Sequence, residues 1–194
     1  MIGLVSVNYK NAPVEVREKL YLNENDIVNI SNKYLENDIV DGVYIISTCN
    51  RTEIYFENYF LNISESKVVH KVISILANFK KYTESISPYA EVKKNIEVIN
   101  HIFCLASGLE SMLIGEYQIV DQIKKSYNLS KENKFLSSNL DRLLQKSLNA
   151  SKYVRSNTKI DKGAVSVSYA AVEKVNTYFK NKNIFITCIG LGET

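Results

Sequence analysis

A chain of 194 residues has room for one ordinary domain and part of a second. Its 45% hydrophobic and 23% charged residues exclude wholesale disorder, and seven Gly with two Pro exclude collagen-like or linker-like character. The net charge is a modest +3, and the three cysteines, Cys49, Cys104 and Cys188, are too scattered for a disulfide framework or a metal-ligand cluster, so no metal is expected.

In chain order, residues 2–7 (IGLVSV) read as a short buried strand in which Gly3 permits close packing. Pro13, behind Asn11, opens a short helix to about Leu20, and Asn23 or Asn25 caps a second over 25–36 with Ile27, Ile30 and Leu35 inward. Strands follow at 43–47 (VYIIS) and 53–60 (EIYFENYF), joined by the polar connection 48–52. A helix is expected from about Glu65 to Tyr82, and an edge strand at 89–92 behind Pro88. These elements predict a compact α/β domain with three or four strands.

Beyond Ile96 the pattern turns helical. One helix ends near Gly108, a polar-to-apolar pivot fills 108–115, and helices follow at about 116–129 and 137–157. The last of these should point Leu140, Leu143, Leu144, Leu148, Tyr153 and Val154 inward. A final helix over 165–180 and a strand over 184–189 complete the chain. That strand runs into Gly190-Leu191-Gly192-Glu193-Thr194, which is how a dinucleotide-binding βαβ unit begins, so the end reads as the truncated start of a Rossmann-like domain. The same letters also suit a plain Gly-rich turn.

Charge is uneven. Residues 1–120 carry 11 Lys or Arg against 15 Asp or Glu, whereas residues 121–162 carry 10 against 4. Such a block either attracts a phosphate backbone or merely solvates helices. No basic segment precedes the apolar run of the N-terminus and no stretch of eighteen apolar residues occurs, so a soluble, cytoplasmic protein is expected, with no membrane association.

Among the polar residues, Cys49 lies in a turn two residues from Arg51, a setting that favours a nucleophilic thiolate; an inert small side chain is the alternative. Cys104 and Cys188 fall in apolar runs and read as core, and His70 as a helix-surface residue. His101 suits either proton transfer or a satisfied, half-buried imidazole. Ser111, Glu116, Gln118 and Gln122 gather near a helix start, with Gln118 and Gln122 sharing one face. Arg51 could pair bidentately with a carboxylate.

Several separated segments resemble the N-terminal part of the glutamyl-tRNA reductase family over essentially the whole chain. They are APVEVRE at 12–18, STCNRTEIY at 47–55, NHIF at 100–103, ASGLESMLIGEYQIVDQIK at 106–124 and GAVSVSYAAVE at 163–173. The resemblance implies a catalytic, glutamyl-tRNA-binding domain over residues 1–157 with a helical extension. Residues 158–194 would then be a linker helix and the first strand of an NADPH-binding domain. It makes Cys49 the nucleophile and His101 a residue of the reaction, and places Thr48, Asn50, Arg51, Ser111, Glu116, Tyr117, Gln118 and Gln122 around the glutamyl group. Gly190, Leu191, Gly192, Glu193 and Thr194 would begin the NADPH site. The departures are Tyr9 for a histidine, Cys104 for an arginine, Tyr117 for a proline, Asn157 for a glutamate and Leu191 for a small residue.

The implied reaction is reduction of glutamyl-tRNA(Glu) to glutamate-1-semialdehyde through a thioester on Cys49, the first step of tetrapyrrole biosynthesis from glutamate. A full-length homodimer and hand-over of the product to an aminomutase are also implied, and the fragment alone is not expected to complete the reduction. Two other classes fit parts of the sequence: a non-catalytic tRNA-binding module resting on the basic block, and a thiol-dependent aldehyde dehydrogenase.

Overall fold

The computed structural model describes residues 1–59, 63–160, 167–180, 184–187 and 189. Strand β1 (Ile2–Asn8) is followed by helices α1 (Val14–Leu20) and α2 (Glu24–Glu36), then by strands β2 (Gly42–Thr48) and β3 (Arg51–Glu57). Helix α3 (Glu65–Phe79) leads to a 3-10 turn at Ser87–Tyr89 and strand β4 (Glu91–Lys94), and helices α4 (Ile96–Ala106), α5 (Gln118–Glu132), α6 (Ser138–Asn157) and α7 (Val167–Tyr178) follow.

The four strands form one antiparallel sheet in the order β2-β3-β1-β4. Antiparallel sheets often leave one face to water and then alternate in polarity, whereas β1 and β2 are mostly apolar and β3 carries the apolar run Ile54-Tyr55-Phe56 between buried polar residues. Both faces are covered. Val5, Val7, Val43, Ile45, Ile54 and Phe56 pack under α1, α2 and α3, while Leu4, Tyr44, Ile46 and Tyr55 pack under α4, α5 and α6. Gly3 faces Phe56 across the β1–β3 pair, and a Cβ there would lie 2.3 Å from the ring.

Several elements differ from the sequence expectations, each for a local reason. Strand β3 starts at Arg51, because the hairpin ladder continues until Thr48 pairs with Arg51, leaving Cys49 and Asn50 alone in the turn. Pro13 precedes the first helical residue of α1, and the Asn11 side chain accepts from the Asn8 N–H. Asn23 caps α2 in a reciprocal box with Asp26, and Tyr34 is more deeply buried than Leu35, its hydroxyl donating to the Val72 carbonyl at 3.0 Å. The edge strand falls at 91–94, since Pro88 sits in the 3-10 turn before it. Its Glu91, Lys93 and Lys94 charge the edge, which discourages further strand pairing.

Leu140 and Leu144 of α6 are buried as expected, but Tyr153 is 70% exposed. Ser147 and Ser151 take inward positions instead, Ser151 donating to the Ala106 carbonyl; small side chains let α6 approach α4 closely. Cys104 is half-buried on α4, not a core residue, while His70 is exposed on α3 as expected. The strand expected over 184–189 is not formed at 184–187 or 189, where Phe185 and Ile186 are exposed and no ladder partner lies alongside among the described residues. Cys188 and the segment Gly190-Leu191-Gly192-Glu193-Thr194 lie outside the described residues. Among the described residues no helix is long and apolar enough to cross a membrane.

Candidate functional site

The β2–β3 hairpin carries Cys49 at its tip, and the residue is exposed. Thr48, the last residue of β2, is buried and its Oγ1 accepts the Asn50 N–H at 3.2 Å. The turn is held from outside as well. Tyr9 N–H donates to the Asn50 carbonyl at 2.9 Å, and Arg17 of α1 donates from Nη1 to the Cys49 carbonyl at 2.6 Å and to Asn50 Oδ1 at 3.2 Å.

Beside this turn lies an open cleft of about 590 Å³. Thr48 and Cys49 form one wall, Gln118 and Gln122 of α5 another, and Tyr21, at the C-terminal end of α1, a third. The i, i+4 spacing of the two glutamines does place both amides on one face, and that face is turned to the cleft. Asp121 and Lys125 of α5 and Glu24 of α2 also line it, and Lys125 pairs with Glu24 at 2.6 Å.

A second polar cluster sits on the α4-facing side of the sheet. Alternation along β3 sends Arg51, Glu53 and Tyr55 to this side. Glu53 is fully buried and accepts from Ser6 Oγ at 3.0 Å, Arg51 Nη1 at 2.9 Å, Tyr55 Oη at 2.7 Å and His101 Nε2 at 3.1 Å. Burial opposes its charge, but the His101 hydrogen bond and the Arg51 guanidinium outweigh that and hold its carboxyl down at about 2. Tyr55, buried against this carboxylate, has its phenol pushed well above the usual range.

The 107–117 connection covers this cluster. Arg51 Nη2 donates to the Glu110 carbonyl, Lys10 pairs with the Glu110 carboxylate, and Tyr9 Oη donates to the carbonyl of buried Ser111. The loop closes on itself where Gly115 N–H meets the Gly108 carbonyl at 3.1 Å; Gly108 has φ +83°, which a side chain would strain. Glu116 is half-buried, and burial raises its carboxyl above the usual range while the Arg51 charge acts the other way. The Tyr117 ring is exposed and lies under the Arg155 guanidinium, 4.4 Å from its centre.

The expected residues therefore fall into two adjoining groups. Thr48, Cys49, Gln118 and Gln122 meet at the cleft, whereas Arg51, His101, Ser111 and Glu116 belong to the network beneath and beside the turn. Asn50 braces the turn. Among the described residues no hydrogen bond joins the His101 ring to Cys49; its Nε2 is engaged by Glu53. In a neutral ring that bond places the proton on Nε2 and leaves Nδ1 as the acceptor.

Sequence reasoning missed three residues of this construction. Glu53 was legible in principle, as a carboxylate in a strand with both faces apolar, which demands a partner. Arg17 and Arg155 were not, since both act on backbone carbonyls far away in the chain. No group of three or more His, Cys, Asp or Glu among the described residues is arranged to hold a metal ion.

Residues 5–158 match a family model described as glutamyl-tRNAGlu reductase, N-terminal domain. The chain is 40% identical over 193 residues to a glutamyl-tRNA reductase of Aquifex aeolicus, covering 99% of this chain and 46% of the relative. It is 42% identical over 190 residues to one from a Sulfurihydrogenibium strain, covering 96% and 42%. Among solved structures it is similar to glutamyl-tRNA reductase from Methanopyrus kandleri, with a TM-score of 0.68 at 29% identity, covering 91% of this chain and 39% of that one. The chain thus spans less than half the length of these relatives.

Proposed function

The chain belongs to the glutamyl-tRNA reductase family, and from that premise we propose that its Cys49 takes the glutamyl group from glutamyl-tRNA(Glu) as a thioester. The observation behind this reading is the exposed Cys49 thiol on a braced turn at the wall of a cleft that Gln118 and Gln122 also line. Cys49 Sγ attacks the ester carbonyl carbon, a tetrahedral centre forms, and the C–O bond to the tRNA 3′ oxygen breaks as that oxygen takes up a proton. Thr48, Gln118 and Gln122 offer hydrogen bonds to the polar groups of the glutamyl unit within the cleft. Glu116 and Arg51 would act on the glutamyl group from the polar network beside the turn, and His101, oriented by Glu53, is the residue suited to moving a proton near the leaving oxygen.

NADPH would supply the hydride that reduces the thioester to glutamate-1-semialdehyde, and Gly190 to Thr194, the segment assigned to it, lies outside the described residues. In this reading residues 1–157 are the catalytic domain and 158–194 lead into the cofactor domain. The full-length protein is a cytoplasmic homodimer that passes its product to an aminomutase.

The test is intact-mass measurement of an acid-quenched mixture with glutamyl-tRNA(Glu), followed by peptide mapping. A glutamyl adduct on Cys49, absent in Cys49→Ser, is the expected result. A serine hydroxyl is far less ionised near neutral pH, and no hydrogen bond from a base reaches position 49 among the described residues. An adduct on Cys104, or adduct formation surviving in Cys49→Ser, overturns the assignment.

A further inference from the structure

Two-residue hairpin connections match the right-handed twist of their strands when the turn is of the I′ or II′ kind, both of which need a positive φ at the first central residue. The β2–β3 turn has Cys49 and Asn50 at its centre, and neither has a positive φ. The remaining two-residue geometries twist against the strands they connect, so this turn needs support from elsewhere. That support is visible. Both turn carbonyls are claimed from outside the hairpin, Asn50's by the Tyr9 N–H and Cys49's by Arg17.

Arg17 is built for this task. Val16 and Leu20 bury α1 against the sheet, fixing where residue 17 starts. Its Nε donates to the Ala12 carbonyl at 3.2 Å, which anchors the guanidinium plane on its own helix entry, and Nη1 then bridges the Cys49 carbonyl and Asn50 Oδ1. A planar fork can hold three acceptors in one rigid arrangement, which an ammonium cannot. The geometry points to Arg17 as a positioning residue for the reaction proposed above: it imposes on the hairpin tip the backbone conformation that aims Cys49 Sγ at the ester carbon. This inference rests on the nucleophile reading of Cys49. Arg17 acts through the turn and does not itself line the cleft.

Arg17→Gln, Arg17→Lys and wild type are compared in the intact protein by three measurements. The first is single-turnover glutamyl transfer to Cys49 across a range of glutamyl-tRNA concentrations. The others are alkylation of Cys49 by iodoacetamide and hydrogen exchange over residues 48–52. In Arg17→Gln the maximal transfer rate should fall by roughly ten- to a hundred-fold, since small misplacements of a reacting group cost about that much. The half-saturating concentration and the alkylation rate should stay within about two-fold, because neither depends on aim. Exchange at 48–52 should quicken, and Arg17→Lys should recover part of the rate. Transfer unchanged in Arg17→Gln overturns the inference, and so does alkylation falling in step with transfer, which would mean lost thiol access. If wild type accepts no glutamyl group, the functional reading fails instead. Hydrogen exchange then decides the clamp by itself, and unchanged exchange in Arg17→Gln overturns it.

Discussion

His101 Nε2 lies 3.1 Å from Glu53 Oε1, with both side chains buried where α4 crosses the sheet. The contact fixes an imidazole that would otherwise rotate, and it ties α4 to the strand that begins at the Cys49 turn. Arg51 reaches the same carboxylate oxygen, so one acceptor organises a histidine and a guanidinium together. Removing it should therefore affect both stability and the site.

Glu53 has a folded-state pKa of about 2 against an ordinary 4.5, so its ionised form stabilises the fold. That contribution is complete above the ordinary value and is lost as pH falls from there toward 2. Urea unfolding should show the midpoint dropping through this window in wild type and far less in Glu53→Gln. At neutral pH the variant leaves Arg51 as a buried cation without its carboxylate, a loss on the order of 3–5 kcal/mol. Equal acid sensitivity in the two proteins would mean that other carboxylates dominate.

His101→Asn keeps a polar side chain on α4 but removes the titratable ring. If the imidazole moves a proton in the transfer step, the maximal rate of Cys49 acylation should fall by about 10²–10⁴-fold, with half-saturation little changed. Loss of binding without loss of maximal rate would assign the ring to shaping the pocket.

The limits of the sequence reading follow from the kind of contact involved. Strand β2 was legible because burial on both faces leaves an apolar run, VYIIS, whereas the α2 cap stayed open between Asn23 and Asn25 until the reciprocal bond with Asp26 settled it on Asn23. Cys49 stood out as a cysteine in a polar turn, and Gln118 with Gln122 as a helical pair. The buried engagement of Arg51 was not legible, nor were the roles of Arg17 and Arg155. Besides Glu53 for Arg51 and Asn50 for Arg17, their acceptors include backbone carbonyls 59, 32 and 39–40 residues away, and a carbonyl has no letter in the sequence. Composition counts such cations as surface charge. Tyr153 was misplaced for a related reason: helical periodicity favours large apolar residues, whereas the α4–α6 crossing selects Ser147 and Ser151.

The basic stretch over 121–162 contains Lys124 and Lys125, which pair with Asp121 at 3.3 Å and Glu24 at 2.6 Å. These pairs are largely exposed and worth about 0–1 kcal/mol, so a phosphate can displace the carboxylates at little cost. If this face meets the tRNA backbone, Lys124→Glu with Lys125→Glu should weaken tRNA binding. Each lost phosphate contact should also flatten the logarithmic salt dependence by about 0.7–0.9. Filter binding at several salt concentrations measures both, and an unchanged slope would return the two lysines to the role of solvating α5.

Arg155, near the C-terminal end of α6, is the brace of the 107–117 connection. Its Nη1 donates to the Gly115 carbonyl at 3.0 Å and its Nη2 to the Glu116 carbonyl at 2.9 Å, while the guanidinium plane lies over Tyr117. A proline at position 117 would fix φ by its ring; Tyr117 lacks that constraint and is restrained here by stacking and by two charged hydrogen bonds to the carbonyls before it. Arg155→Met keeps most of the stem and removes the fork, and should cost about 1.5–3 kcal/mol, the range for hydrogen bonds from a charged donor. Arg155→Lys should recover only part, because an ammonium neither stacks on Tyr117 nor spans two consecutive carbonyls. Hydrogen exchange should quicken over residues 108–117 while β1–β3 stay protected. Acceleration spread evenly over the sheet would show instead that Arg155 supports the α4–α6 packing as a whole. Since Ser111 and Glu116 sit on the braced loop and Gln118 directly follows it, Arg155→Met should also weaken substrate half-saturation more than it slows Cys49 acylation, the reverse of the pattern expected for Arg17→Gln.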